Sequence, residues 1–275
     1  SNVIYKHFIR NPYYERYIFT GRMMSTFTHP TILGFYFLVT IPTTYYFYKY
    51  GDSAKIRITN FVILLLILSS AIFTYSRMAL FALLMITSIY LFLKNKIRWI
   101  FFVLGGVFLL SLLLERVFIS YNSMTRFGFG YLMDDLKHNH RITEFITTIN
   151  MIKDHPWVGV GFGHYRILFN RYSFVRLPYE IMITDNVYLL YLVETGIIGF
   201  LGFSFFLIHL LRSGFQAYGR STSNIKRMLL FIWLTYIAML INFFSFDGIL
   251  WKSSFYLFWL FAAFLCSAVS WRKNN

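Results

Sequence analysis

Six stretches of the chain run for 16 to 26 residues without a single Asp, Glu, Lys or Arg: 23–48, 58–76, 78–93, 99–114, 228–246 and 253–271. A seventh, 186–211, carries only Glu194 and His209 as possible charges. A helix crosses a bilayer with about 20 apolar residues, so runs of this length leave few alternatives. With 57% hydrophobic and 22% aromatic residues, and only 13% charged, the composition is too apolar for an ordinary soluble domain. The expectation is an all-α fold: a polytopic membrane bundle of about seven transmembrane helices, the two shortest runs extended by their neighbours. The first residue is Ser1 and no cleavable signal peptide is visible. The expected organisation is a single transmembrane domain over 1–275, the C-terminal part of a larger protein.

The formal charge of +15 acquires meaning only once the charges are placed. Lys49, Lys55, Arg57, Lys94, Lys96, Arg98, Arg212, Arg220, Lys226, Arg227, Arg272 and Lys273 all fall on one side if seven helices alternate, with Asp52 the one acid among them. The short connections on the other side hold only Arg77 and Lys252. By the positive-inside rule the first side is cytoplasmic. The C-terminus is then inside, and the 115–185 insert lies outside. The charge thus reflects membrane topology, and no nucleic-acid partner is expected. Cys266 stands alone in the last apolar run, which excludes an intrachain disulfide and leaves a small apolar side chain.

The insert is too long to be a mere connector. It holds six arginines and two lysines against seven acids, and guanidinium groups suit bidentate contacts to phosphate or carboxylate. A solvated polar cap is the plainer alternative for any one of them. Ile142, Phe145, Ile149 and Ile152 recur at helical spacing, which predicts an amphipathic helix from Arg141 lying on or near the membrane surface. It should end at Asp154-His155-Pro156, because proline disfavours helical geometry in the residue before it.

The phrase DHPWVGVGFGHY follows at 154–165, with Gly159, Gly161 and Gly163 at alternate positions. A dinucleotide fingerprint would need glycine at 164, where His164 stands, and no strand-then-helix unit surrounds it. The glycines are expected to let the main chain turn back over the membrane face.

Arg77 separates two apolar helices with almost no linker, and an ionisable group at that depth is a functional candidate unless it merely snorkels to headgroups. Asp185 or Asn186 can cap the next helix. Glu194, nine residues past Asp185, should pair with an arginine or line a wet cavity. Gly196, Gly199 and Gly202 suggest a small-residue packing face. Asp134, Asp135, His138 and His140 match no metal-ligand spacing, and neither metal nor cofactor is expected.

Four segments together resemble the O-antigen ligase and polysaccharide polymerase superfamily: GRMMSTFTHPTILGFYFLVTIP (21–42), TYSR (74–77), RITEFITTINMIKDHPWVGVGFGHY (141–165) and DNVYLLYLVETGIIGF (185–200). They occur in that family's order. The resemblance implies a metal-independent membrane glycosyltransferase in a bacterial cytoplasmic membrane, active on the outer face. The donor would be an undecaprenyl-diphosphate-linked oligosaccharide and the acceptor a saccharide hydroxyl, with membrane lipids around both. It assigns Arg77 and Arg141 to the diphosphate, with Arg22 as a third contact. Fixed guanidiniums there would stabilise the charge that grows on the leaving group. Where ligases of the family show His-Asn, this chain has Asp185-Asn186. An aspartate can also serve as general base, so Asp185 and Glu194 are the catalytic candidates.

Polymerisation of repeat units is the first reading, and ligation to a lipid A-core or protein the second. A flippase for lipid-linked glycans is the alternative of another class, but it would be expected to carry charges along helices near the midplane.

Overall fold

The computed structural model describes residues 29–74, 76–101, 105–106, 140–173 and 184–270. All regular structure among them is helical, and the chain divides into two compact units, Ser1–Gly128 and Phe129–Asn275.

The first unit holds α1 (Pro30–Tyr50), α2 (Ala54–Phe73) and α3 (Arg77–Leu93), after which residues 97–101 are again helical. His29 caps α1, its Nδ1 accepting from the Thr31 N–H at 3.2 Å. Pro30 opens the first turn, where a missing N–H costs nothing. α1 packs on both α2 and α3. Leu33, Phe37 and Ala71 form the contact, flanked by Ile41, Ile67 and Leu80. α1 and the start of α3 approach closely at Gly34, where an added Cβ would lie 2.8 Å from the Ser76 Cβ. The opposite side of α2 leaves Ile58, Leu65 and Leu66 exposed, as lipid contact requires.

The second unit holds α4 (His140–Asp154), α5 (Tyr165–Tyr172), α6 (Val187–Arg220), α7 (Ser223–Asn242), a 3-10 turn (Gly248–Leu250) and α8 (Lys252–Ser270). α6, α7 and α8 pack on one another, and α4 and α5 pack against α6.

By length and composition three helices among the described residues can cross a membrane: α2, α6 and, over Asn224–Asn242, α7. α3 and α8 are apolar but shorter, and the expected total of seven is not reached. The fourth apolar run, 99–114, lies largely outside the described residues. α1 follows the first run, but threonines and tyrosines such as Thr40, Thr43, Tyr45 and Tyr46 dilute its apolar character. The run 228–246 is helical only to Asn242. Beyond it Phe243 and Phe246 turn inward and are buried.

Candidate active site

The glycine phrase owes its composition to a partner 37 residues further on. In an unbroken α6 the N–H groups of Ile197 and Ile198 would donate to the carbonyls of Val193 and Glu194. Instead the helix breaks at Gly196, which has φ 65° and ψ −172°. Ile197 N–H donates to Pro156 O at 2.8 Å and Ile198 N–H to Trp157 O at 3.3 Å. The carbonyls left free are taken by the same loop: Val160 N–H donates to Val193 O at 2.9 Å, and Gly161 N–H to Glu194 O at 3.0 Å. Residues 156–161 are therefore spliced into the hydrogen-bond ladder of a long apolar helix. An unpaired backbone group in such surroundings costs several kcal/mol, so the splice is what allows the break to exist.

Backbone seated on backbone leaves no room for side chains. A Cβ on Gly159 would lie 2.5 Å from the Glu194 carbonyl carbon, and one on Gly196 would lie 2.3 Å from the Trp157 carbonyl carbon and oxygen. Gly159, Gly161 and Gly163 all adopt positive φ, at 72°, 99° and 75°. Glycine enters that region without strain. The intervening residues split: Val160 packs against Met151, Tyr165, Phe169, Leu190 and Val193, while Val158 and Phe162 are exposed. Among the described residues nothing packs on Gly196, Gly199 and Gly202 as a common face. Gly196 is the break, a Cβ on Gly199 would first meet its own helix's Thr195, and one on Gly202 would meet nothing.

α4 ends at Asp154, just before His155-Pro156. Its burial is the reverse of a soluble amphipathic helix. Thr143, Glu144, Thr147 and Thr148 are buried, whereas Ile142, Phe145 and Ile146 are exposed. The polar face looks into the protein, where Thr148 finds a polar partner on α5. Thr148 Oγ1 lies 2.6 Å from Glu144 O and 3.1 Å from the Tyr165 hydroxyl. Burial pushes the Tyr165 phenol well above its ordinary range, and the carboxylates of Glu144 and Asp185 add to that shift against the Thr148 hydrogen bond.

α5 escaped the sequence reading, although Tyr165, Leu168, Phe169 and Tyr172 stand at the i, i+3, i+4, i+7 spacing of one helical face. Tyr165 and Phe169 are buried on that face. Glu194 is only 7% exposed and points its Oε1 at the Tyr165 N–H, 3.4 Å away. This is the first turn of α5, where free N–H groups and the helix dipole stabilise a carboxylate. Of the two surroundings expected for Glu194, an arginine partner or a wet cavity, the arginine partner is not found among the described residues.

Asn186, not Asp185, caps α6, its Oδ1 accepting from the N–H groups of Tyr188 at 2.9 Å and Leu189 at 3.1 Å. The same residue fixes the end of α7, because Asn186 Nδ2 donates to Phe244 O at 3.0 Å and Val187 N–H donates to Phe243 O at 3.0 Å. These bonds bring Asp185 beside Asp247, a residue the sequence reading passed over. Asp247 is buried and accepts from Trp251 Nε1 at 3.0 Å. Burial and then the Asp185 carboxylate push its carboxyl up to about 6, outweighing the Trp251 hydrogen bond. No local spacing signals Asp247, since it reaches Asp185 only through packing between α6 and the end of α7.

The predicted site residues therefore fall in three groups. Asp185, Glu194 and the glycines share the second unit around Tyr165. Arg141 is the second residue of α4, in that same unit. Arg77 opens α3 in the first unit, directly after the buried Ser76. Arg22 lies outside the described residues, as do Asp134, Asp135 and His138.

A search of the curated proteins finds no match. The family described as O-antigen ligase matches residues 62–204, more than half of the chain. That span contains Arg77, Arg141, the glycine loop, Asp185 and the break at Gly196. A match of that extent, over membrane helices and the loop spliced between them, shows that the chain belongs to the O-antigen ligase family.

Proposed function

We propose that this membrane glycosyltransferase-like protein extends polysaccharide chains on the outer face of a bacterial cytoplasmic membrane, without a metal. The donor is an undecaprenyl-diphosphate-linked oligosaccharide, and the acceptor is a hydroxyl of another lipid-linked repeat unit. Asp185 takes the proton of that hydroxyl as its oxygen attacks the anomeric carbon. The bond from that carbon to the diphosphate oxygen breaks, and the lipid diphosphate leaves with the electron pair. Arg77, Arg141 and Arg22 hold the diphosphate and stabilise its added charge. Glu194 sets the position of α5 and with it Tyr165.

The observation that carries this reading is the pairing of Asp185 with the buried Asp247, whose carboxyl is raised to about 6. Burial and the Asp185 carboxylate both favour the protonated form of Asp247, which sets a second carboxyl group beside the proposed base. The test supplies the full-length protein in vesicles with a synthetic undecaprenyl-diphosphate oligosaccharide alone. A ladder of longer lipid-linked products is expected. No ladder, with transfer only after a lipid A-core acceptor is added, would replace this reading by ligation. The matched family's own description favours that second reading.

A further inference from the structure

We propose that the loop 156–162 is a wedge seated in the outer leaflet, with phospholipid acyl chains covering its apolar edge. Trp157, Val158 and Phe162 are 68%, 75% and 73% exposed. A monomeric protein in water would leave such an edge only for a partner. The hydrogen bonds at Ile197 and Ile198 fix the loop against α6 at a definite height. Directly below, Ile198, Leu201 and Phe205 are exposed on the membrane-crossing helix itself, so the edge continues a surface that lipid already covers.

The height follows from helix geometry. Arg212 is the first Lys or Arg along α6 and marks the inner boundary of its apolar run. At 1.5 Å per residue Ile198 stands roughly 21 Å above it, while the hydrocarbon layer is about 30 Å thick. The loop is thus held about 5–10 Å inside the outer boundary, the depth at which interfacial segments bury their apolar side chains.

Three further features agree. The neighbouring α4 also turns Ile142, Phe145 and Ile146 outward and its polar residues inward. On the segments that flank the loop, Lys153, Arg166 and Arg171 are exposed, basic residues suited to anionic headgroups, with Asp154 the acid among them. A tryptophan at the apolar–polar boundary is the residue type that such boundaries collect.

The test uses the full chain in vesicles of phosphatidylethanolamine and phosphatidylglycerol, with Cys266→Ser to clear the native thiol. Nitroxide labels are placed through Val158→Cys and Phe162→Cys, and through Lys153→Cys and Asn170→Cys as exposed polar controls. Collision with oxygen, relative to a water-soluble nickel chelate, is expected to be several-fold higher at 158 and 162 than at 153 and 170. Equal ratios at all four positions would overturn the proposal. So would a water-like ratio at 158 and 162 that rises only on adding undecaprenyl phosphate, which would give the edge to a substrate's isoprenoid tail. Protein without labels gives a second readout: bromines near the top of the acyl chains should quench wild type more than Trp157→Phe, and equal quenching would again overturn it. None of these readouts depends on glycosyl transfer, so the proposal stands or falls separately from the enzymatic reading.

Discussion

Replacing Gly196 by alanine tests the splice between loop and helix most directly. The new Cβ would lie 2.3 Å from the carbonyl carbon and oxygen of Trp157 and 2.5 Å from the Val158 nitrogen. These are main-chain atoms, so no rotamer change relieves the overlap. The loop has to retreat by about 1 Å to restore ordinary contact. That retreat breaks the bonds from Ile197 to Pro156 and from Ile198 to Trp157, now 2.8 and 3.3 Å long. Buried groups left unpaired cost about 1–3 kcal/mol each, and an alanine at φ 65° adds about 1–2 kcal/mol. The expected loss is about 3–8 kcal/mol, a large part of the roughly 5–15 kcal/mol that holds a folded domain together. Gly163 provides the control: it shares a positive φ of 75°, but an added Cβ meets nothing within 4 Å, so only the conformational cost of about 1 kcal/mol remains. Thermal unfolding in detergent, followed by gel filtration of the heated samples, should show a fall for Gly196→Ala several times that for Gly163→Ala. Because Gly159 faces the same seam, Gly159→Ala combined with Gly196→Ala should cost much less than the two separate effects together. Equal melting of Gly196→Ala and Gly163→Ala would refute the argument that backbone contact, and not φ alone, requires these glycines.

Asp185→Asn should abolish product formation without loss of stability, since Asn186 supplies the cap, and an active variant would remove Asp185 from the chemistry. Asn186→Ala should instead destabilise by about 1 kcal/mol for the lost cap, with a further loss from its bond to Phe244, read as a lower melting temperature. Arg77→Ala and Arg141→Ala should each eliminate product while membrane insertion stays normal, and polymer at wild-type level from both would end the diphosphate assignment. Asp247 is protonated more readily in the folded protein, at about 6, than in an unfolded chain, at about 3.9. Its contribution to stability is therefore fully present below about pH 4 and is lost as pH rises through 6, so Asp247→Asn should stabilise the protein above pH 6 by about 3 kcal/mol at most and flatten that pH dependence. An unchanged unfolding profile between pH 4 and 7 would show that Asp247 is not held as described.

Periodicity and length made much of the architecture legible. Where they are described, the charge-free runs are helical over most of their length, because a chain in lipid must satisfy its backbone internally and a helix does so locally. The end of α4 at Asp154 was readable from Pro156, a constraint carried by one residue. The short α5 was also written in the spacing of Tyr165, Leu168, Phe169 and Tyr172, and was hidden only by the glycines before it.

What the sequence determined by itself was a helical membrane chain, the helix that leads into the glycine phrase, and a set of ionisable residues worth watching. Each follows from interactions within one element or from the cost of placing a side chain in lipid. Tertiary structure alone decided why the glycines are there, which face of α4 turns inward, that Asn186 is the cap, and that Asp247 stands beside Asp185. In each case the deciding partner lies on another element: Gly196 against Gly159, α6 and α5 against the threonines of α4, the end of α7 against the start of α6. Helical spacing shows that α4 has two unlike faces but not which medium each one meets, and for this protein the polar face turns inside, where Thr148 meets the Tyr165 hydroxyl.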